Sequence, residues 1–334
     1  KKESDKQQSV KLPISELLIE REKTRASGSR REMLKIYEQI YNNYPNSDAA
    51  PEAYFCRGEL YENNREFGSA MKMFSAVIEK YPGSVWFAPA IEHGFAVAKS
   101  LQSGTRPRYF GIIPGLKDYT SAVKNYELVV KYAPYSRLAP QALFEIAKLH
   151  QRGKHYEQAI DALERVIDLY PDAQEVPDAY LQIAEIYSSV VKGVEYNQGG
   201  ALAARRYYRE FLSLFPLDAR VPEVQRRIRE LEEAVGRSKI ALGDFYFNAC
   251  YNDIAARKLY RLAIDFAPYT LSAEVAQEKI DAIEHGKKPK TTAVDFLFPS
   301  YMPKQERLAL EAAAKTTKAV KKYPGSRRVK FLHV

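Results

Sequence analysis

The strongest constraint on this chain is a short proline phrase that recurs along it. KYPGS occurs at 80–84 and again at 322–326, and looser copies occur as NYPNS, YAPYS, LYPDA, LFPLD and FAPYT. The seven prolines of these phrases are separated by 37, 52, 37, 45, 52 and 56 residues. A base period of 37 residues with insertions explains these steps, and a period in the thirties is typical of helical solenoids.

Each phrase has the chemistry of a stop between helix pairs. The aromatic residue can pack its ring back on the preceding helices, and proline cannot continue a helix. The Ser, Thr or Asp two residues later suits the N-cap of the next helix. KYPGS is therefore predicted to separate helix pairs and not to form a binding site.

The residues between the phrases fit the tetratricopeptide pattern. The second copy carries it at Tyr54, Gly58, Tyr61, Ala70, Phe74 and Pro82. The fourth copy carries it at Leu143, Ile146, Ala147, His150, Ala159, Leu163 and Pro171. Small residues are expected where the two helices of a pair cross closely, and aromatic residues fill the adjacent gaps. The predicted fold class is an all-α tetratricopeptide solenoid of six to seven helix pairs, without a sheet and with a basic C-terminal extension.

The phrases also predict where helices begin and end. First helices of the pairs are expected near 12–27, 49–63, 87–102, 138–152, 175–191, 220–248 and 271–285. Second helices are expected near 29–43, 66–80, 118–132, 155–169, 199–214 and 251–266, and a last helix near 304–322. Two inserts, at 103–117 and 191–200, are predicted to be ordered loops between paired helices.

Charge separates the end of the chain from the rest. The segment 286–334 contains 12 Lys and Arg but only 3 Asp and Glu, so the whole formal net charge of +9 lies there. A basic tail on a neutral body suits an acidic partner, lipid headgroups or nucleic acid, and it equally suits a solvated tail. The predicted organisation is an N-terminal extension with the first helix (1–28), two repeat halves (29–191 and 192–286) and a basic extension (287–334).

Motifs of common enzymes and of membrane-spanning segments are missing from the sequence. It contains no phosphate-binding loop, dinucleotide fingerprint, metalloprotease motif, nucleophile elbow or paired CxxC. No apolar run approaches the roughly 18 residues of a transmembrane helix. Cys56 and Cys250 are interpreted as small buried apolar residues, and His150 and His155 as packing or surface residues. We therefore expect no catalytic residue, no metal and no cofactor, which leaves a binding module.

The repeat geometry predicts where such a module binds. First helices line the concave face of a tetratricopeptide solenoid, and the residue after each pattern aromatic points into it with its neighbour one turn later. This register selects Phe55, Glu59, Ile91, Phe95, Phe144, Lys148, Leu181 and Glu185 as a groove for an extended or aromatic-ended peptide. The alternative is that these side chains pack against a neighbouring helix or against the 103–117 insert.

The segment 199–270 carries a more specific pattern. Ala204 and Tyr208 precede a proline phrase, and the long helix that follows contains Ile228, Leu231 and Lys239. The runs Gly243-Asp244-Phe245-Tyr246 and Ala255-Ala256-Arg257 come next. In these features the chain resembles the BamD family, which are tetratricopeptide lipoproteins of the outer-membrane β-barrel assembly machinery. It departs from the family at Asn248, Ala249 and Cys250, where members usually carry a charged residue and Arg-Gly.

The resemblance implies a function, partners and a location. The second half would dock on the periplasmic domains of a BamA-like barrel-forming subunit, and the first half would face unfolded outer-membrane proteins with a terminal aromatic signal. The resemblance also implies an N-terminal lipid anchor at the periplasmic face of the outer membrane. It implies no nucleic-acid partner. The predicted docking residues are Arg226, Arg227, Arg229, Arg237, Tyr246, Asn252 and Arg257.

A free-standing periplasmic tetratricopeptide adaptor for envelope division, pilus or polysaccharide-export machinery fits the same repeats. The chain opens with KKESDKQQSV, without Met or an apolar signal segment, so we expect that either a targeting segment was removed or the chain was trimmed.

Overall fold

A computed structural model of the chain describes residues 12–190 and 198–289. Within those residues almost all regular structure is helical. The helices are α1 (Ile14–Ser27), α2 (Arg30–Asn43), α3 (Ala49–Asn63), α4 (Phe67–Lys80), α5 (Phe87–Gln102), α6 (Tyr119–Tyr132), α7 (Leu138–Arg152), α8 (Tyr156–Leu169), α9 (Val176–Val190), α10 (Gln198–Leu214), α11 (Val221–Asn248), α12 (Asp253–Phe266) and α13 (Leu271–Glu284). None of them combines the length and the apolar content that a bilayer crossing requires.

The predicted all-α tetratricopeptide class is confirmed, and the predicted helix bounds agree with the structure to within about two residues. The expectation of no sheet is wrong at one place, because the 103–117 insert contains strands β1 (Arg108–Tyr109) and β2 (Ile113–Pro114). They pair antiparallel, since the insert folds back on itself. The predicted helix near 304–322, the rest of the chain from 290 onward and most of the 191–200 insert lie outside the described residues.

The chain divides into two compact units. Among the described residues, the first unit contains 12–189 and 206–218, and the second contains Val190, 198–205 and 219–289. Helix α10 is thus divided between the units: residues 198–205 belong to the second unit and residues 206–214 to the first. The functional halves assigned from the sequence, 29–191 and 192–286, stay predictions.

The proline phrases form tight turns between consecutive pairs. In KYPGS the backbone N–H of Ser84 donates to the carbonyl of Tyr81 at 3.0 Å, and the phrases at 43–47, 132–136, 169–173 and 214–218 make the equivalent bond. Among the described phrases, the predicted helix-capping role is observed at Thr270, whose hydroxyl accepts from the Ala273 N–H of the next helix. Ser47 and Ser136 instead donate their hydroxyls to the carbonyl three residues earlier, at 2.8 Å in both cases. Their side chains therefore stabilise the turn itself.

Close helix crossings explain two of the glycines. A Cβ atom at Gly58 in α3 would lie 2.5 Å from Cε1 of Phe74 in α4. A Cβ atom at Gly243 in α11 would lie 2.4 Å from Cε1 of Tyr260 in α12. Phe74 and Tyr260 are essentially fully buried, so neither ring has room to move away. The packing role predicted for Gly58 is thus confirmed, and Gly243 has the same role in the second unit.

Candidate functional site

The first helices of three consecutive pairs, α5, α7 and α9, line a cavity of about 650 Å³ in the first unit. Phe95 contributes from α5, Phe144 and Lys148 from α7, and Asp178 from α9. The cavity, which we call the α5–α9 groove, therefore brings together three of the residues selected from the sequence. Their role in peptide binding stays a prediction.

A chain of hydrogen bonds fixes the polar wall of this groove. The Tyr126 hydroxyl donates to Oε1 of Gln102 at 2.6 Å, and the Gln102 amide donates in turn to the Glu145 carboxylate. Glu145 also accepts from Nζ of Lys148 at 2.8 Å. Burial, and secondarily the Glu145 charge, raises the pKa of Tyr126, which keeps its hydroxyl a donor. The Lys148 ammonium is thereby held 4.6 Å from the centre of the Phe144 ring.

The groove combines aromatic surface with charges of both signs. Its cations come from Lys99, Lys148 and Arg152, and its carboxylates come from Glu145, Glu175 and Asp178. The 103–117 insert is bonded to the α3–α4 turn, where the Arg108 N–H donates to the Arg65 carbonyl at 2.7 Å. An apolar floor beside cations suits a ligand that ends in an aromatic side chain and a carboxylate.

The other residues selected for the groove lie in different surroundings. Phe55 and Ile91 are buried, and the Phe55 ring packs against Trp86 with centroids 4.8 Å apart. Glu59 lines a separate cavity of about 460 Å³, together with residues of α1 and α2. Leu181 and Glu185 are half-buried on α9 and do not line the α5–α9 groove. The contacts of Phe55 therefore fit the alternative interpretation, in which its side chain packs against a neighbouring helix.

A histidine that the sequence reading left unassigned links α3 to α5. Nδ1 of His93 lies 2.6 Å from Oε2 of Glu62, and Nε2 lies 3.9 Å from Oε1 of Glu59. The hydrogen bond with Glu62 is the main reason that the pKa of His93 is raised, whereas burial raises the pKa of Glu59. The cluster ties neighbouring pairs together through partly buried charge.

The predicted docking arginines lie along α11 in the second unit. They are Arg226, Arg227, Arg229 and Arg237. Three of them form ion pairs with glutamates four residues away on the same helix, at distances of 2.7 to 3.9 Å. Such exposed pairs contribute little to stability, so these guanidinium groups can exchange partners at low cost.

The remaining docking residues build the turn between α11 and α12. The Asn252 side chain accepts from the Ala255 N–H at 3.0 Å and caps α12, and its backbone N–H donates to the Tyr246 carbonyl at 2.9 Å. Arg257 pairs with Asp253 at 2.7 Å. The Asn252 side chain and the Tyr246 carbonyl therefore shape the turn, and the contact of Tyr246, Asn252 and Arg257 with a partner stays a prediction.

Two apolar residues missed in the sequence reading lie beside this turn. Leu242 and Phe245 are 44% and 55% exposed, one helical turn apart on α11, and we call them the α11 patch. The Phe245 ring meets Tyr246 edge-on with centroids 5.8 Å apart. The signal was present in the sequence, because Gly243 and Phe247 belong to the buried face and the helical period then places the patch off that face.

The Gly-Asp-Phe-Tyr run of α11 joins three helices. Oδ1 of Asp244 accepts from the Tyr260 hydroxyl of α12 at 2.7 Å and from Nζ of Lys279 of α13 at 2.8 Å. Burial, together with Asp244, raises the pKa of Tyr260. Gly243 allows Tyr260 to approach. The run thus fixes the helix that presents Phe245.

Glu232 and Glu233 of α11 contact residues on other helices of the second unit. Glu233 accepts from the backbone N–H of Ser272 at 3.1 Å and from its hydroxyl at 2.8 Å, at the start of α13. Glu232 lies 3.5 Å from Arg205, with both side chains less than a fifth exposed. Both carboxylates therefore connect α11 to other helices of the second unit.

Reactive side chains in the described residues serve packing. Cys56 and Cys250 are half-buried rather than buried as expected, and burial raises the pKa of Cys56 to about 11. His150 and His155 contact each other edge-on with centroids 6.2 Å apart. Among residues 12–190 and 198–289, no three His, Cys, Asp or Glu side chains are grouped to hold a metal ion.

Comparison with known proteins identifies relatives at low identity. The outer membrane protein assembly factor BamD of Rickettsia prowazekii (strain Madrid E) is 22% identical over 149 residues, which span 45% of this chain and 59% of that protein. Similar solved structures include MamA from Desulfovibrio magneticus RS-1, with 16% identity, coverage of 61% of this chain and 96% of that chain, and a TM-score of 0.31. A tetratricopeptide repeat protein from Parabacteroides merdae ATCC 43184 is 13% identical, with coverage of 80% of this chain and 97% of that chain and a TM-score of 0.31. Nothing about function follows from these structural likenesses.

Family profiles give the stronger result. A tetratricopeptide repeat profile matches residues 52–84, in α3 and α4. The profile of the family described as YfiO, outer membrane lipoprotein, matches residues 116–285, which is just over half of the chain. The resemblance noted from the sequence is confirmed, and the chain belongs to the YfiO family of outer membrane lipoproteins.

Proposed function

We propose that this protein is a periplasmic scaffold and substrate-docking subunit of the outer-membrane β-barrel assembly complex, without catalytic activity of its own. The observation that carries the proposal is the family match over residues 116–285. This range includes most of the residues that line the α5–α9 groove, and it includes the whole α11 patch. A lipid anchor at the periplasmic face of the outer membrane is part of the proposal.

The second repeat half is proposed to bind the periplasmic domains of the barrel-forming subunit. The α11 patch supplies apolar contact area, and the arginines of α11 supply hydrogen-bond donors around it. Aromatic residues and arginine are the types most enriched at the centres of protein interfaces. The network around Asp244 holds the helix rigid, which lowers the entropic cost of binding.

The first repeat half is proposed to bind the C-terminal segments of unfolded outer-membrane proteins in the α5–α9 groove. Phe95 and Phe144 provide the aromatic floor, and Lys148 lies where it can receive a terminal carboxylate. A free carboxylate bound by a lysine makes a charge-assisted hydrogen bond, which is stronger than a neutral one. Sequence-tolerant recognition of a chain end is what a subunit that receives many substrates requires.

Removal of the α11 patch is predicted to break the docking contact. With the variant Leu242→Ser/Phe245→Ser, we expect the dissociation constant for the periplasmic domains of the barrel-forming subunit to rise about tenfold or more, as for loss of interface hot spots. Charge reversal in Arg226→Glu/Arg229→Glu is expected to raise the dissociation rate. Surface plasmon resonance on the immobilised domains measures both quantities.

A matched control comes from the same unit. Leu202 of α10 is 42% exposed, so Leu202→Ser removes a comparable apolar side chain away from the patch and should leave binding unchanged. Circular dichroism must give the same helix content for all variants. If the patch variant is folded and binds as tightly as the unaltered protein, the docking face lies elsewhere.

A further inference from the structure

The insert between α5 and α6 exposes a cluster of large apolar side chains. Phe110, Ile112 and Leu116 are 89%, 83% and 83% exposed, and Tyr109 and Ile113 are more than half exposed. Single exposed apolar residues are normal on protein surfaces, but five within eight residues form a patch that marks an interaction site. Side chains this exposed project from the surface instead of lining a groove.

The segment 106–117, which we call the hairpin, is held at its base by backbone contacts. The Arg108 N–H donates to the Arg65 carbonyl of the α3–α4 turn at 2.7 Å, and the Gly115 N–H donates to the Pro107 carbonyl at 2.7 Å. Strands β1 and β2 pair between these anchor points. The apolar side chains are therefore presented on a folded support.

The apex of the hairpin is also constrained. Phe110 and Gly111 both adopt the left-handed region, with φ of 53° and 76°. The Gly111 carbonyl accepts from Nδ2 of Asn64 at 3.4 Å, and a Cβ atom at Gly111 would lie 2.8 Å from that nitrogen. A left-handed phenylalanine is unusual, and such conformations persist where the surroundings impose them. Here the imposed conformation leaves the ring in solvent.

Positive charge surrounds the apolar cluster. Arg65, Arg106, Arg108 and Lys117 are all exposed, and none forms an ion pair in the part of the chain that the structure describes. The insert 103–117 contains no Asp or Glu. An apolar tip flanked by exposed cations is complementary to a surface of anionic headgroups over an acyl interior.

The nearest carboxylates do not cancel this charge. Glu66 is buried and pairs with Arg30 at 2.6 Å. Asp118 caps α6, since its side chain accepts from the Ser121 N–H at 2.9 Å. Both are therefore occupied within the protein, and the hairpin keeps its cations for an external partner.

We propose that the hairpin binds the surface of a bilayer that contains anionic phospholipid, with Phe110, Ile112 and Leu116 entering the acyl boundary and the surrounding cations contacting phosphate groups. The chain belongs to a family of outer membrane lipoproteins, and such proteins lie next to a bilayer surface. A projecting tip buries little area against a protein but is fully surrounded when it enters lipid. The proposal is separate from the groove and from the docking face, and it needs neither.

The proposal is tested with vesicles of phosphatidylethanolamine and phosphatidylglycerol and the full 334-residue chain. Flotation should recover the unaltered protein with these vesicles, while Phe110→Ser/Ile112→Ser/Leu116→Ser should bind about tenfold more weakly or worse. That variant keeps every charge of the chain, so attraction by the basic extension is the same in both proteins. Phe110→Trp should show a blue shift of its emission on addition of vesicles, with the unaltered protein as background for the native Trp86.

Two controls distinguish binding through the hairpin from non-specific adsorption of the protein to vesicles. Val85 and Leu217 are 84% and 98% exposed elsewhere, and Val85→Ser/Leu217→Ser should float like the unaltered protein. The variant Arg106→Gln/Arg108→Gln/Lys117→Gln should show a weaker preference for phosphatidylglycerol over phosphatidylcholine than the unaltered protein, with the attraction of the basic extension common to both. The proposal is overturned if the hairpin variant floats as well as the unaltered protein, or if the Phe110→Trp emission does not move. The exposed apolar residues would then have to be assigned to a protein partner.

Discussion

Replacing Gly58 with Ala is expected to lower the free energy of unfolding by roughly 1 to 3 kcal/mol, although alanine is the better helix former. The added methyl group would lie 2.5 Å from Phe74, a ring with no accessible surface and no space to retreat into. Relief would require separating α3 from α4. The measurement is the urea midpoint of the helical circular dichroism signal, compared at unchanged slope.

A second buried glycine provides a control of opposite sign. A Cβ atom at Gly94 in α5 would lie 3.6 Å from the Met71 methyl group, which is ordinary contact, so Gly94→Ala should stabilise the protein by about 0.5 to 1 kcal/mol. Phe74→Leu should cost less in the Gly58→Ala background than alone, because the smaller side chain relieves the overlap. Equal urea midpoints for Gly58→Ala and Gly94→Ala would contradict the packing account.

Binding at the α5–α9 groove is expected to depend on the free carboxylate of the peptide. An outer-membrane protein C-terminal peptide that ends in phenylalanine should bind about tenfold more tightly than the same peptide with an amidated end, since a hydrogen bond to a charged group contributes about 1.5 to 3 kcal/mol. A peptide ending in alanine should also bind weakly, because the aromatic floor loses its ligand. Fluorescence anisotropy of labelled peptides measures these affinities.

The lysine side of this contact can be removed separately. Lys148→Gln should bind the free and the amidated peptide with nearly equal affinity, because the cation proposed to bind the carboxylate beside Phe144 is gone. Lys124 is exposed on α6, a second helix outside the groove, so Lys124→Gln should keep the preference for the free carboxylate. If Lys148→Gln keeps that preference as well, the carboxylate does not bind at Lys148.

Much of the fold could be predicted from the sequence because repeat packing is local. Pro82 and its equivalents mark the helix ends, and Gly58 and Phe74 meet within one pair, so a pattern of about 37 residues carries the information. The β1–β2 pairing could not be predicted, because two-residue strands in the 103–117 insert have no periodicity to read.

The candidate sites were less predictable because they depend on contacts between pairs. Phe55 and Phe95 are both assigned to the concave face from the sequence, yet Trp86 and His93 pack around Phe55 while Phe95 lines the groove. The residues of the next helix pair determine whether a side chain on the concave face is buried. The repeat pattern contains no information about those neighbours. The exposure of Phe245 was overlooked for a related reason, since it lies within a run read as a family motif.

The central claim is that this chain works in β-barrel assembly and not as an adaptor for another envelope machine. The most direct measurement is affinity purification of the tagged protein from solubilised envelopes, followed by quantitative mass spectrometry, with the Leu242→Ser/Phe245→Ser variant in parallel. The account predicts that the barrel-forming subunit is the most enriched protein and that the variant loses it. Enrichment of division, pilus or polysaccharide-export proteins instead, with no barrel-forming subunit, would contradict the account.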